Sequence, residues 1–307
     1  MYAIRNVIES ASNNSKEKLD ILIINEFHDN YIKSLCLTGH NFYLLENNKD
    51  LMLQWTSEYK PQNLSIVKSL NDIRTLDCIV CFNRGQSFVF ADTISNYYHV
   101  NVISIDSASS QLILPSPINT TVNVTLEDAV KRQGVISVGT TKHITQSWIN
   151  NLTGFPITIP HYYDKFESNN SKILIDDNIP QEILKNLPFN LSSENYTVNK
   201  SEACVYLHLW THINKLMIDC LASKIPVACI DSPDIRYISA NRACIIIPKI
   251  EDLAAPQIKE AMLNVAEQGK VADHGMQYVK QVHDNQFFLK CWDKLFYQAS
   301  NLTYLRG

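Results

Sequence analysis

The sequence predicts an α/β protein built from two parallel sheets, each flanked by helices. Three observations carry that expectation. Short buried runs alternate with helical patterns along the chain, one polar, proline-bearing stretch interrupts the alternation near its middle, and 307 residues suffice for two ordinary domains.

The runs fall at Asp20 to Asn25, Asp77 to Phe82, Val100 to Ile105 and Val135 to Val138, then at Lys172 to Ile175, Ala203 to Leu209, Pro226 to Ile230 and Ala243 to Pro248. Each is of strand length and mostly apolar, as a strand covered on both faces must be. Ile157 to Ser171, ending Glu-Ser-Asn-Asn-Ser, is the natural boundary, and it divides a first domain, 1–165, from a second, 166–283. The last segment, His283 to Leu302, repeats apolar residues at helical spacing, with Phe287, Phe288, Cys291, Trp292, Leu295 and Phe296 on one face.

Hydrophobic residues make up 45% and charged residues 19%, a globular composition throughout. No apolar run reaches membrane-spanning length, and Met1 to Asp20 is polar, without the apolar core of a signal peptide. A cytoplasmic protein with no membrane partner is expected. The net charge of -4 denies the chain the overall basic surface of a general nucleic-acid binder, which leaves only local patches such as Lys131-Arg132 with Lys142-His143. The eight cysteines sit mostly inside apolar runs and read as small core residues in a reducing compartment. Cys78 and Cys81 have the spacing of a metal pair, but a strand sends residues three apart to opposite faces. His208 and His212 straddle a strand end. No metal site is expected.

The most informative stretch is Ala203 to Ile238. A buried strand leads through a polar loop into a helix, Asn214 to Ser223, with apolar residues at 216, 217, 218, 221 and 222 around one acid, Asp219. Pro226 then opens the next strand. A helix N-terminus leaving a strand presents unpaired N–H groups and a partial positive charge, which suits a diphosphate. An acid one turn into that helix suits a ribose hydroxyl.

The order helix acid, Ala-Ser-Lys-Ile-Pro-Val, strand, short loop and Ile resembles the donor-binding segment of the family 4 glycosyltransferases. The family's helix Glu falls on Asp219, its Gly on Lys224, its Pro-Glu-Ile on Pro233-Asp234-Ile235, and its first Glu on Thr211. A second resemblance, to a group of short glycosyltransferases encoded by tailed bacteriophages, rests on three segments. These are Leu37-Thr-Gly-His-Asn-Phe-Tyr43 after the first strand, Ile136 to Trp148, and Pro160 to Phe166.

These resemblances imply the GT-B fold, two facing Rossmann-like domains with parallel sheets, whose final helix, here over 284–304, crosses back to the first domain. They imply transfer of a sugar from a nucleotide-sugar co-substrate, with a UDP-linked sugar expected and no cofactor or metal. The favoured acceptor is 5-hydroxymethylcytosine in duplex phage DNA. Two other readings stay open: a GT-B-like protein that binds a glycan or partner without turnover, and a transferase acting on a glycan or small molecule.

Open parallel sheets bind ligands outside the carboxyl ends of their strands, and candidate residues follow from that rule. For the donor they are His212, Asn214, Lys215 as a cation for the diphosphate, Asp219 for the ribose, and Asp234 in the loop Asp231 to Ile235. For the acceptor they are Glu26, His40, Asn41, Arg84 and Lys142, all taken to follow strand ends or to open helices. A general base for the acceptor hydroxyl must be a carboxylate or imidazole, so His28, Asp29 and Asp106 are the catalytic candidates.

Overall fold

The computed structural model describes residues 17–24, 29–46, 54–82, 86–106, 135–149, 157–169, 171–176, 196–210, 212–249, 260 and 264–301. The chain divides into two compact units, one of Met1–Pro160 with Gln286–Gly307, the other of His161–Asn285.

In the first unit the described strands are β1 (Asp20–Ile24), β2 (Asn41–Leu45), β3 (Leu64–Val67), β4 (Cys78–Phe82), β5 (Asn101–Asp106), β6 (Val135–Gly139) and β7 (Ile157–Thr158). All pair in parallel, in the order β3-β2-β1-β4-β5-β6-β7. The helices are α1 (Asp29–Cys36), α2 (Gln86–Tyr98) and α3 (Lys142–Ile149). One sheet face packs Leu22, Ile79, Cys81 and Val102 against Phe88, Ala91 and Ile94 of α2. Gly139 closes β6 where α3 comes so near that a Cβ would lie 2.3 Å from Thr145 Oγ1, so no side chain fits there.

The C-terminal helix, α7 (Asn285–Asn301), belongs almost wholly to this unit. Trp292 packs edge-on to Tyr31 of α1 and Phe296 edge-on to Phe42 of β2, while Asn101 Nδ2 donates to the Ala299 carbonyl at 2.8 Å. Its buried face is Phe288, Trp292, Leu295, Phe296 and Ala299. Phe287, expected on that face, is 50% exposed, because one residue step turns it about 100° away from Phe288.

The second unit's strands are β8 (Lys172–Leu174), β9 (Tyr196–Thr197), β10 (Ala203–His208), β11 (Val227–Ile230) and β12 (Ile245–Ile247), parallel in the order β12-β11-β10-β8-β9. Its helices are α4 (Lys215–Ala222), α5 (Pro233–Ser239) and α6 (Val265–Val282). Met217, Ile218 and Leu221 of α4 bury against Tyr206 and Val227 of the sheet and Val279 of α6. Helix α4 ends with Lys224 in the left-handed region at φ 60. The Ile225 amide bonds the Cys220 carbonyl at 2.9 Å and the Lys224 amide bonds that of Leu221 at 3.3 Å, a Schellman ending that favours glycine where the sequence has lysine.

Among the described residues no helix is long and apolar enough to cross a membrane, and no group of three or more His, Cys, Asp or Glu could hold a metal ion.

Candidate functional site

Strand order reverses between β8 and β10 in the second sheet, because β9 turns back to one side of β8 while β10 to β12 run off the other. At such a reversal the loops leaving the two central strands diverge and open a crevice at their carboxyl ends, the usual ligand site of a doubly wound sheet. Asp176 follows β8 there, and Trp210, His212 and Asn214 follow β10.

These residues form one hydrogen-bonded network. Asp176 Oδ2 accepts from the Tyr206 hydroxyl at 2.5 Å, Trp210 Nε1 at 2.9 Å and Asn214 Nδ2 at 3.1 Å. Tyr206 and His208 alternate along β10 and so share a face, with the phenol oxygen 3.0 Å from His208 Nδ1. His208 Nε2 lies 2.8 Å from the His212 carbonyl, which can only accept, so Nε2 carries the hydrogen and the Nδ1 lone pair competes with Asp176 for the one hydrogen of the phenol. Burial holds the His208 imidazole neutral, with its pKa pushed down to about 3. Burial, then the charge of Asp176, raises the Tyr206 phenol well above its ordinary value. The rings of Trp210 and His212 stand 6.0 Å apart at 41°, both half-buried.

Asn214 is the N-cap of α4, its Oδ1 accepting from the Met217 amide at 2.8 Å. The cap satisfies the third amide of the helix and leaves the first two aimed outward at the carboxyl end of β10. His212 is held below its ordinary pKa by burial, offset in part by the charges of Asp234 and Asp176. Asp234 is buried in the first turn of α5, where Ser232 caps and Pro233 takes the first position. The segment expected as a loop, Asp231 to Ile235, is therefore loop only at Asp231 and Ser232.

Two donor residues are placed otherwise than expected. Lys215 does not reach outward: its Nζ bonds Asp164 Oδ2 at 2.7 Å and Asp219 at 2.9 and 3.1 Å, back along the helix. Asp219 is 1% exposed, and both its oxygens are taken, by the Asp164 amide at 2.8 Å, Lys200 Nζ at 2.9 Å and Lys215. Lys200 precedes β10, so Asp219 faces the amino side of that strand, away from the ligand edge. The reason is local. A lysine four residues before an acid pairs with it on the helix surface, and here a second lysine completes the charge balance.

In the first unit the strand order reverses between β1 and β4. Glu26, His28 and Arg84 lie outside the described residues. Asp106 closes β5 at the carboxyl edge, fully buried, accepting from Ser104 Oγ at 2.9 Å and Ser137 Oγ at 2.5 Å. Lys142 opens α3 after β6 and is exposed. Asp29 opens α1, but its Oδ2 accepts from the Thr56 amide and hydroxyl and the Ser57 amide at 2.7 to 2.8 Å, which ties down the segment around Thr56.

His40 and Asn41 do not follow a strand end. They start β2, at the amino edge, where Asn41 Nδ2 donates to Asp20 Oδ1 at 3.0 Å and His40 Nδ1 accepts from the Leu19 amide at 3.3 Å. His40 is buried against Phe296 and Tyr297, and desolvation lowers its pKa against the pull of Asp293. The difference arises because β2 alternates partly exposed with buried residues and so lacks the continuous apolar run that marks the central strands.

No protein-family model matches the chain, and no curated protein does. Solved structures do. HepE of Anabaena, crystallised in complex with UDP-glucose, is similar over 90% of this chain and 99% of its own, with a TM-score of 0.65 at 10% identity. Sucrose-phosphate synthase of Thermosynechococcus elongatus is similar over 92% and 99%, with a TM-score of 0.63 at 9% identity. A glycosyltransferase of Rickettsia africae is similar over 94% and 100%, with a TM-score of 0.55 at 10% identity. With two parallel α/β units and a final helix that returns to the first, the chain has the GT-B fold.

Proposed function

We propose that this protein is a glycosyltransferase that moves a sugar from a nucleotide-sugar donor, expected to be UDP-linked, to an acceptor hydroxyl. The observation that carries the reading is the fold shared over 90% of the chain with HepE, whose crystals held UDP-glucose. The second unit would hold the donor at the β8–β10 switch point, where the outward amides of α4 suit a diphosphate. The first unit would hold the acceptor, with Asp106 the described candidate base at its carboxyl edge. No cofactor or metal is called for on this reading, since helix-end amides can stabilise a leaving diphosphate. A cytoplasmic location fits such a donor.

The acceptor we favour is 5-hydroxymethylcytosine in duplex DNA, on the strength of the resemblance to phage glycosyltransferases. Incubation of hydroxymethylcytosine DNA with the protein and mixed nucleotide sugars, followed by mass spectrometry of the nucleosides, tests it. A hexose or pentose increment on that nucleoside is the expected result. Modification of a glycan or small molecule instead would remove the DNA acceptor and leave the donor half standing.

One observation favours a second reading, a GT-B-like protein that binds a glycan or partner without turnover. Lys215, the cation expected at the diphosphate, is tied to Asp164 and Asp219. Failure of every nucleotide sugar to bind would favour that reading.

A further inference from the structure

We propose that Asp176, rather than Asp219, is the carboxylate that accepts hydrogen bonds from vicinal hydroxyls of the bound ligand, with the rings of Trp210 and His212 beside it. The inference deepens the nucleotide-sugar reading and rests on it.

Position is the first argument. Asp176 stands at the end of β8, beside β10, where the strand order of the second sheet reverses. The second is how it is held. Three donors, from Tyr206, Trp210 and Asn214, all converge on Oδ2, which fixes the carboxylate plane. Oδ1 has no hydrogen-bond partner among the described residues, and the residue is only half-buried. An oxygen oriented in this way, with two lone pairs, is an acceptor awaiting donors.

Charge selects the kind of donor. A carboxylate bonded to the cap of α4 repels phosphate, so what it meets is a hydroxyl-bearing part of the ligand flanking the diphosphate. Adjacent ring hydroxyls suit it, and two sources offer them: the ribose of the nucleotide and the transferred sugar. Trp210 adds an apolar surface beside them, since its indole N–H is already spent on Asp176. Asp219 cannot serve in this way, because it is 1% exposed and both its oxygens already accept from lysines or a main-chain amide.

The test is calorimetric titration of the full chain with UDP, 2′-deoxy-UDP and UDP-glucose. If Asp176 reads the ribose, Asp176→Asn weakens UDP and UDP-glucose at least tenfold and weakens 2′-deoxy-UDP, which keeps only the 3′-hydroxyl, by a clearly smaller factor. If it reads the transferred sugar, UDP-glucose alone weakens. Either pattern supports the proposal. No loss, or an equal loss for all three ligands, overturns it while the nucleotide-sugar reading survives. Wild-type protein that binds none of the three removes the UDP-linked donor, and the inference falls with it. Should Asp176→Asn not fold, Trp210→Phe decides. It removes one donor to Asp176, keeps an aromatic ring, and is expected to give the same ligand-selective pattern at a smaller factor. A uniform loss or none with Trp210→Phe overturns the proposal.

Discussion

Asn214 Nδ2 lies 3.1 Å from Asp176 Oδ2, while Oδ1 of the same amide accepts from the Met217 amide at 2.8 Å. One side chain thus starts helix α4 and anchors the acid at the end of β8. The helix terminus and the carboxylate cannot move independently.

Asn214→Ala should therefore cost about 2–3 kcal/mol, a lost cap plus a lost bond to a charged group. Asn214→Asp is the more telling variant. It keeps the cap but sets a second carboxylate against Asp176, so its deficit relative to wild type in urea unfolding should be larger at pH 7 than at pH 4. An equal deficit at both values would break the link between the two residues.

Asp219→Ala should act on stability. Removing the acid takes away one of the two carboxylates that pair with Lys215, whose side chain is 12% exposed, and the ion-pair partner of the more exposed Lys200. Leaving a buried charge wholly unpaired costs about 3–5 kcal/mol, and because Asp164 still pairs with Lys215 the loss here should fall below that range. Urea unfolding measures it. A fully stable variant with weakened nucleotide binding would instead return Asp219 to the ligand.

Lys224 holds a left-handed conformation at φ 60 in the helix ending where glycine is favoured. Relief of that conformation is worth roughly 1 kcal/mol or more. The ion pair Lys224 makes with Asp273 joins side chains 55% and 59% exposed and contributes little. Lys224→Gly is expected to raise the unfolding midpoint by a few degrees, and a lowered midpoint would show the ion pair to be the larger effect.

Three buried histidines of the second unit set a pH dependence. Burial pushes His161 and His208 down to about 3 and His283 to about 4, so all three are neutral in the folded protein at neutral pH. In the unfolded chain they charge near pH 6.5. The unfolded state therefore binds more protons as pH falls from about 6.5 toward 4, and stability drops over that window. His283→Gln should flatten the decline by about one proton's worth of slope in a series of melts. An unchanged slope would contradict the burial of that imidazole.

The strands were legible wherever burial on both faces made them continuously apolar, and β1, β4, β5, β6, β8, β10, β11 and β12 all fall within or beside the runs read from the sequence. β2 and β3 were not, because Asn41–Leu45 alternates partly exposed with buried residues over its first four positions and Leu64–Val67 buries only its two ends. The α4 region is legible as strand, loop and helix, while its cap at Asn214 is a feature of the structure. Its charges were not legible. Lys215 and Asp219 are spaced four apart, a pairing visible in the sequence, yet the second lysine that neutralises Asp219 lies 19 residues before it in a turn of no distinctive pattern. The Asp176 network has no sequence signature for a similar reason. Its members are up to 38 residues apart, and Tyr206 and His208 read as ordinary strand residues until parallel pairing of β8 with β10 sets them beside the acid.

The central claim is that the second unit binds a nucleotide sugar, and thermal unfolding with a panel of nucleotide sugars tests it most directly. A ligand present at 100 times its Kd adds about 2.7 kcal/mol to the native state. The account predicts that at least one nucleotide sugar at millimolar concentration raises the midpoint by several degrees, while the free monosaccharide does not. No shift with any member of the panel would contradict it.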